Sequence, residues 1–293
     1  MFQLRAPVLQ KLTEDIRVRG LSSKTEKSYR NSVDAFLRFC NKPVEELNEQ
    51  DARQYSLHLQ KEGKARATIN LHMSAIRFLF GATLGRHMNY HQMPRMKGEK
   101  KLPLVLNVDE VCSLIDSCEN LKRKAMLLLA YGSGLRASEI VALRIRHIES
   151  KNNRIFVELG KGGKDRYALL PEATLLVLRE YFKKNRSSLS SEPDAYIFPG
   201  CGTDSHISPD TLLTYVKDAA RDAGIHKPVT VHTLRHCFAT HLYEMGTDLL
   251  KIKTLLGHSC IQSTTIYVHL AKFESDTVSP LDNLNIVLRN QTK

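Results

Sequence analysis

The 293 residues carry 43 Lys and Arg against 31 Asp and Glu, a net charge of +12, and 42% of them are hydrophobic. This composition supports a buried core and excludes a disordered basic tail protein, while the surplus of positive charge indicates a polyanionic partner such as nucleic acid. Because the sequence has no apolar leader, no membrane-length apolar run and no Cys-x-x-Cys pair, we expect a soluble cytoplasmic protein with reduced cysteines and no membrane partner.

Most of the surplus positive charge lies in the first 103 residues, which hold 19 Lys and Arg against 10 Asp and Glu. Apolar residues at helical spacing predict four helices there. Ser23 and Glu26 have the spacing of a capping box for the second helix, and Asn48 is placed to cap the third. We therefore predict a helical DNA-binding domain over residues 1–85. Its candidate DNA contacts are Lys24, Lys27, Arg66, Thr68, Asn70 and Arg77.

Residues 86–103 interrupt the helical pattern with glycine and proline and carry several cations. We interpret this segment as a basic interdomain linker that follows a DNA backbone. Lys97, Lys100 and Lys101 are its candidate DNA contacts, and a merely solvated charged stretch is the alternative for each of them.

Residues 104–293 mix helices with one predicted hairpin. Two strand-like runs, Arg154–Leu159 and Arg166–Leu170, flank a glycine-rich tip, and helical patterns precede and follow them. Because strands and helices do not alternate, a parallel α/β sheet is not expected. The predicted fold is mainly α with a small antiparallel β-sheet.

Several residues in this second part are candidates for chemistry on a phosphate. Arg136 follows a Gly-Ser-Gly break, and His232 and Arg235 lie three residues apart on a predicted helix and therefore share a face. Arginines neutralise phosphoryl oxygens, a lysine or histidine protonates a leaving alkoxide, and tyrosine is a nucleophile. With Lys161, His258 and Tyr267, the set describes metal-free attack on a phosphodiester.

Two other readings of these residues stay open. His232 and His236 have the i, i+4 spacing of zinc-binding helices, with His241 or Cys237 as a third ligand, but Thr233 stands where a zinc protease carries its glutamate. The histidines alternatively form a structural cluster. The lysine-containing hairpin tip does not match a P-loop, because no Ser or Thr follows the lysine.

Taken together, these motifs resemble the tyrosine recombinase family, which comprises the phage integrases and the Xer-type site-specific recombinases. The resemblance spans nearly the whole chain. It is carried, in the family's order, by Gly-Leu-Arg136-Ala-Ser-Glu, the Gly-Lys161-Gly hairpin, His232-Thr-Leu-Arg235-His, Leu-Gly-His258-Ser and Tyr267. It implies a four-helix, SAM-like core-binding domain over residues 1–85 and a catalytic domain over residues 104–293.

The resemblance also implies the reaction. Tyr267 would attack the scissile phosphate and form a 3′-phosphotyrosyl enzyme, which needs neither ATP nor a metal nor any other cofactor. Arg136 and Arg235 would hold the nonbridging oxygens, and Glu139 would support Arg136 from behind.

Proton transfer is assigned by the same resemblance. Lys161 would protonate the leaving 5′-oxygen, with Lys164 as a rival at the same hairpin tip. His232 would assist proton transfer at the tyrosine, and His258 would hydrogen-bond the phosphate.

The implied partners are duplex recombination sites and three further copies of the chain in a tetramer, assembled by exchange of a segment such as Thr277–Leu284. A second recombinase or an accessory protein is left open. The 26 residues after Tyr267 favour a recombinase of a mobile element, that is, of integration or transposition. The alternatives are a housekeeping Xer-like resolvase of chromosome or plasmid dimers, an accessory DNA-binding protein on the same fold, and a type IB topoisomerase.

Overall fold

The computed structural model describes residues 5–87, 95–97, 102–158, 165–186, 188–202 and 204–270. The chain divides into two compact units, one ending at Lys101 and one beginning at Leu102. Within the described ranges, no helix combines the length and the apolar character needed to cross a membrane.

The first unit is a bundle of helices around an apolar core. Its described residues form α1 (Arg5–Val18), α2 (Ser23–Cys40), α3 (Glu49–Lys61), α4 (Arg66–Phe78) and a π-helical turn (Leu79–Thr83). The predicted helical spacing supplies this core, in which Ile16, Phe36 and Ile76 are fully buried. Burying a side chain of this size stabilises the fold by about 1.5–3 kcal/mol. As predicted, Asn48 caps α3.

The start of α2 differs from the sequence-based prediction by one residue. The hydroxyl of Ser22, rather than that of Ser23, accepts a hydrogen bond from the backbone N–H of Thr25 at 3.2 Å. Glu26, predicted to complete a capping box, instead pairs with Arg17 of α1, Oε2 to Nε at 2.9 Å. A tertiary partner has therefore replaced a local one.

The second unit is also mainly helical. Its described helices are α5 (Val108–Asp116), α6 (Leu121–Gly132), α7 (Ala137–Val141), α8 (Glu172–Lys184), α9 (Pro209–Asp222), α10 (Val231–Glu244), α11 (Leu249–Leu256) and α12 (Ile266–Leu270). α6 contacts both α8 and α10, and its apolar residues Met126, Leu127 and Leu129 are fully buried. An apolar helix of this kind is a central core element.

A small antiparallel sheet of β1 (Ile148–Glu149), β2 (Arg154–Val157) and β3 (Arg166–Leu169) lies in the second unit. β2 and β3 are the strands predicted from the sequence, each shorter than expected, and Phe156 lies opposite Tyr167. β1 was not predicted, because a two-residue strand cannot display an alternating pattern. The predicted fold class, mainly α with a small antiparallel sheet, is confirmed.

Candidate active site

The first candidate arginine lies at a helix start. Gly134 has a φ of +62°, and a Cβ there would collide with the ring of Phe238, so only glycine fits this turn. Arg136 follows as the N-cap residue of α7. Its backbone N–H donates to Oε2 of Glu139 at 2.8 Å, and its Nη1 donates to Oε1 at 2.6 Å. One carboxylate therefore both caps the helix and holds the guanidinium.

Arg235 is buried in α10 with only 3% of its surface exposed. Nη1 donates to the carbonyl oxygen of Gly134 and Nη2 to that of Leu256, both at 2.6 Å. Burial, followed by the positive charge of Arg136, lowers the pKa of Arg235 to about 10. It is therefore still a cation at neutral pH, fixed between two segments of the second unit.

The C-terminal end of α11 collects three arginines. Successive carbonyl oxygens of Leu255, Leu256 and Gly257 accept hydrogen bonds, in that order, from Nε of Arg166 at 3.0 Å, Nη2 of Arg235 at 2.6 Å and Nη2 of Arg136 at 3.5 Å. The end of a helix carries partial negative charge, which favours cations there. Gly257, with a φ of +63°, terminates the helix in the left-handed region.

Arg166 was not identified from the sequence. It begins β3, and its Nη1 and Nη2 donate to the two carboxylate oxygens of Glu139 at 2.8 and 2.7 Å. Alternation along β3 was the available signal, because Arg166 lies on the same strand face as buried Ala168. An arginine on the inner face of a strand requires a partner.

The charge of Glu139 follows from these contacts. Burial alone would raise the pKa of this carboxyl, but hydrogen bonds and positive charge from Arg166 and Arg136 outweigh burial and lower the pKa to about 2. Glu139 is thus ionised at neutral pH, and Nη1 of Arg235 lies 3.8 Å from its Oε2.

Tyr267 of α12 is 1% exposed and belongs to a small apolar cluster with Phe238, Ala239, Ile252 and Leu256. Burial raises the pKa of its hydroxyl, and the charges of nearby arginines offset part of that rise. In the described state, the candidate nucleophile is neutral and sequestered from solvent.

Two histidines contact the ring or hydroxyl of Tyr267. Nδ1 of His236 lies 3.3 Å from the tyrosine hydroxyl oxygen. The His258 ring is stacked at 6.3 Å between centroids, and its Nδ1 is 2.9 Å from Oγ1 of Thr264. Burial lowers the pKa of both histidines to about 4. Both rings are neutral at pH 7 and can accept a proton or a hydrogen bond.

The family resemblance assigns proton transfer at the tyrosine to His232, but His232 lies farther from Tyr267 than His236 does. Its ring centroid is 6.4 Å from that of His236, one helical turn along α10. Partial desolvation, then Arg235 and Arg136, lower its pKa. Sequence reasoning considered His236 only as a metal ligand or structural residue, because the i, i+4 spacing does not say which ring faces Tyr267.

The third ligands considered for a zinc site have other partners. Nδ1 of His241 is 3.0 Å from the hydroxyl of Tyr131, and its Nε2 is 3.0 Å from the Leu106 carbonyl oxygen. The Cys237 sulfur accepts the backbone N–H of Leu106 at 3.2 Å. Among the residues that the structure describes, no three His, Cys, Asp or Glu side chains are grouped so as to hold a metal ion.

The lysine candidates and part of the linker lie outside the described residues. The described residues do not include Lys161, Lys164, Lys100 or Lys101. The segment Thr277–Leu284, predicted to be exchanged between copies, also lies outside them.

The remaining DNA-contact candidates lie in the first unit. Lys24, Lys27, Arg66 and Lys97 are exposed, whereas Thr68, Asn70 and Arg77 are partly buried.

Asn70 has a structural use that the sequence did not indicate. Its Nδ2 donates to the carbonyl oxygen of Met96 at 3.0 Å, and its Oδ1 accepts the Met96 backbone N–H at 2.9 Å. Beside it, Nη1 of Arg66 donates to the carbonyl oxygen of Lys97 at 3.2 Å. α4 therefore anchors residues 95–97 of the predicted linker within the first unit.

Comparison with known proteins gives a consistent assignment. Residues 105–274 match the model of the phage integrase family, and residues 8–90 match that of the phage integrase N-terminal SAM-like domain. A tyrosine recombinase from Thermosipho africanus is 32% identical over 279 residues, covering 90% of this chain and 95% of that protein. Tyrosine recombinase XerD from Oceanobacillus iheyensis is 32% identical over 271 residues, covering 87% and 90%.

Among solved structures, the Tn1549 transposon integrase in complex with circular intermediate DNA superposes with a TM-score of 0.69 at 19% identity, covering 89% of this chain and 94% of that one. At this identity the likeness concerns the fold. The family models and the relatives, which match over at least 90% of their own length, identify the family as well as the fold. The chain belongs to the tyrosine recombinases of the phage integrase family and is a site-specific recombinase.

Proposed function

We propose that this chain cuts and rejoins DNA through a covalent bond between Tyr267 and a 3′-phosphate. The observation that carries the proposal is the meeting of two arginines, His258 and Tyr267 around the end of α11. Arg136 and Arg235 provide positive charge for the nonbridging oxygens, where negative charge concentrates in the transition state. His258 donates a hydrogen bond to the same phosphate.

The bonds in this reaction exchange without hydrolysis. The Tyr267 oxygen bonds to phosphorus as the bond to the 5′-oxygen breaks, and Lys161 protonates the leaving oxygen, with Lys164 as the alternative donor. The 5′-hydroxyl of a partner strand then attacks the phosphotyrosine and releases the tyrosine. Because each phosphoester bond is replaced by another, the reaction requires no ATP and no other cofactor.

Among the described residues, His236 has a ring nitrogen within hydrogen-bonding distance of the Tyr267 hydroxyl, and we assign to it the proton that Tyr267 must lose. The 3.3 Å contact to the hydroxyl favours this role, and the lowered pKa keeps the ring neutral, so that it is able to accept the proton. His232, the next ring along α10, assists. Since burial raises the pKa of Tyr267, proton loss accompanies attack rather than preceding it.

DNA is the partner that the charge and the relatives support. The Tn1549 integrase is described in complex with DNA, and the first 103 residues of this chain carry most of its surplus positive charge. We propose a division into a core-binding domain over residues 1–85, a basic linker over 86–103 and a catalytic domain over 104–293. The proposed phosphate contacts outside the catalytic domain are Lys24, Lys27, Arg66, Thr68, Asn70, Arg77, Lys97, Lys100 and Lys101.

A recombinase of a mobile element, acting in the cytoplasm as a tetramer on two DNA sites, is the biological role we propose. Its support is the match of residues 105–274 to the phage integrase family, since phages are mobile elements. The similarity to XerD favours a dimer resolvase as the second candidate.

Trapping the covalent adduct tests the chemistry. The protein is incubated with sheared DNA from its source organism, denatured in detergent, and the DNA ends bound to it are sequenced. We expect adducts only at 3′-phosphates, at one recurring sequence that also identifies the recombination site. A mobile-element role predicts that this sequence lies at the ends of an element, whereas a resolvase predicts a single chromosomal or plasmid site.

Two variants make the nucleophile assignment specific. Tyr267→Phe should bind the recovered duplex with unchanged affinity and form no adduct, because it lacks the attacking oxygen. Tyr243→Phe is the matched control, since Tyr243 is a partly buried tyrosine of the same cluster, and it should react like the wild type. Adducts from Tyr267→Phe would show that another residue attacks, and relaxation of supercoiled DNA without a preferred sequence would favour a topoisomerase.

A further inference from the structure

Three guanidinium groups surround one carboxylate in the candidate active site, and the proposed chemistry uses only two of them. Arg166 contacts both oxygens of Glu139, at 2.8 and 2.7 Å, whereas the Arg136 side chain reaches one oxygen at 2.6 Å. The side chains of Arg166 and Glu139 are 7% and 8% exposed, and that of Arg136 is 16% exposed. The more accessible cation is thus the one bound through a single oxygen.

The geometry determines which arginine neutralises the carboxylate. A bidentate arginine–carboxylate pair is the strongest arrangement of these two groups. Arg166 has it with Glu139, so the Arg136 side chain pairs with a single oxygen of the carboxylate. Among the described residues, the hydrogen-bond partner of Nη2 of Arg136 is the Gly257 carbonyl oxygen at a long 3.5 Å, so this nitrogen is easily redirected to a phosphate. Without Arg166, the ionised Glu139 would instead bind Arg136 with both oxygens.

Arg166 is also fixed from the other side. Its Nε donates to the carbonyl oxygen of Leu255 at 3.0 Å, which ties β3 to the end of α11. A Cβ at position 257 would lie 2.6 Å from Cδ of Arg166, so Gly257 leaves room for this side chain. These contacts hold the guanidinium in an orientation that meets both oxygens of Glu139.

We propose that Arg166 is a positioning residue for DNA cleavage: it occupies both oxygens of Glu139 and thereby keeps Nη2 of Arg136 available for the scissile phosphate. The inference rests on the proposed role of Arg136 in the reaction. In this role, Arg166 acts through Glu139 and Arg136 rather than on the reacting atoms directly.

The test measures adduct formation on the duplex recovered by trapping, made with either a phosphate or a methylphosphonate at the scissile position. A methylphosphonate has a methyl group in place of one nonbridging oxygen and carries no charge, so its cleavage depends less on Arg136. Arg166→Gln should slow cleavage of the phosphate roughly tenfold to a hundredfold, the range expected when a catalytic group is misplaced by about 1 Å. On the methylphosphonate, its rate should approach that of the wild type.

Two further variants separate positioning from folding. Glu139→Gln combined with Arg166→Gln removes the carboxylate that would capture Arg136, and this double variant should cleave the phosphate faster than Arg166→Gln alone. Arg154→Gln, on the neighbouring strand β2 and paired with Glu149, is the matched control and should cleave both substrates like the wild type.

The outcomes distinguish this inference from the proposed function. Recovery of Arg166→Gln on the methylphosphonate supports the positioning role. If Arg136→Gln recovers on the methylphosphonate and Arg166→Gln does not, the positioning role is wrong while the role of Arg136 stands. If Arg136→Gln does not recover either, the phosphate contact of Arg136 is wrong, and the inference fails with it.

Discussion

Replacing Gly257 by alanine perturbs the active site through a single methyl group. Gly257 has a φ of +63°, and the new Cβ would lie 2.6 Å from Cδ of Arg166. Ordinary contact begins at 3.4 Å, so the arginine side chain must retreat by 0.8 Å. The bidentate contacts to Glu139, at 2.7 and 2.8 Å, cannot both survive a shift of that size.

The magnitude has a backbone part and a side-chain part. Placing alanine in the left-handed region costs about 1–2 kcal/mol. Losing one hydrogen bond to a charged group adds about 1.5–3 kcal/mol. We therefore expect Gly257→Ala to lower the free energy of unfolding by about 2.5–5 kcal/mol. Gly224→Ala isolates the backbone part, because Gly224 has a φ of +70° with open space around its Cβ position.

Urea unfolding and adduct trapping on both variants provide the measurement. Gly224→Ala should lose only the backbone part, about 1–2 kcal/mol, and cleave like the wild type. Gly257→Ala should be less stable than that and should cleave at least about tenfold more slowly, because the arginine cluster is displaced. Equal losses of stability with unchanged cleavage in both variants would refute the link between Gly257, Arg166 and Glu139.

The remaining predictions concern protonation and the linker. Because its pKa is lowered to about 2, ionised Glu139 stabilises the fold fully above pH 4.5 and loses that contribution as the pH falls toward 2. The unfolding free energy of Glu139→Gln should therefore change less with pH over this window than that of the wild type. Parallel curves for the two proteins would contradict the ion-pair network. His236 and His258 have pKa values of about 4 in the fold, against an ordinary 6.5, so the unfolding free energy should fall as the pH drops from 6.5 to 4. The fall should be smaller in the double variant His236→Gln/His258→Gln. An unchanged slope in that variant would show that the two rings are not buried in the neutral form. Asn70→Ala removes both hydrogen bonds to Met96 and should lower the free energy of unfolding of the first unit by about 1–3 kcal/mol in urea; no loss would mean that the amide does not hold the linker.

Local signals made most of the helical architecture and several site residues predictable. Asn48 caps the helix that follows it, as its position in the sequence predicts. The glycine break before Arg136 likewise indicates the start of a helix. Such signals act over three or four residues, which is the distance over which a backbone amide and a nearby side chain meet.

Long-range contacts account for what the sequence did not predict. Arg166 meets Glu139 across 27 residues and Leu255 across 89, and no local pattern encodes either pairing. The choice between His232 and His236 as neighbour of Tyr267 depends on where α12 lies against α10, which helical spacing alone cannot determine.

The last turn of α11 gives its three arginines a common mechanical support. Because the carbonyl groups of Leu255, Leu256 and Gly257 follow one another along the chain, a small rotation of this turn displaces all three guanidinium groups together. Losses measured one arginine at a time will then count the same disturbance repeatedly, and their sum will exceed the loss in a triple variant. The positive charge presented at this site therefore depends on the helix end as a whole, and its effect on cleavage cannot be assigned to single arginines.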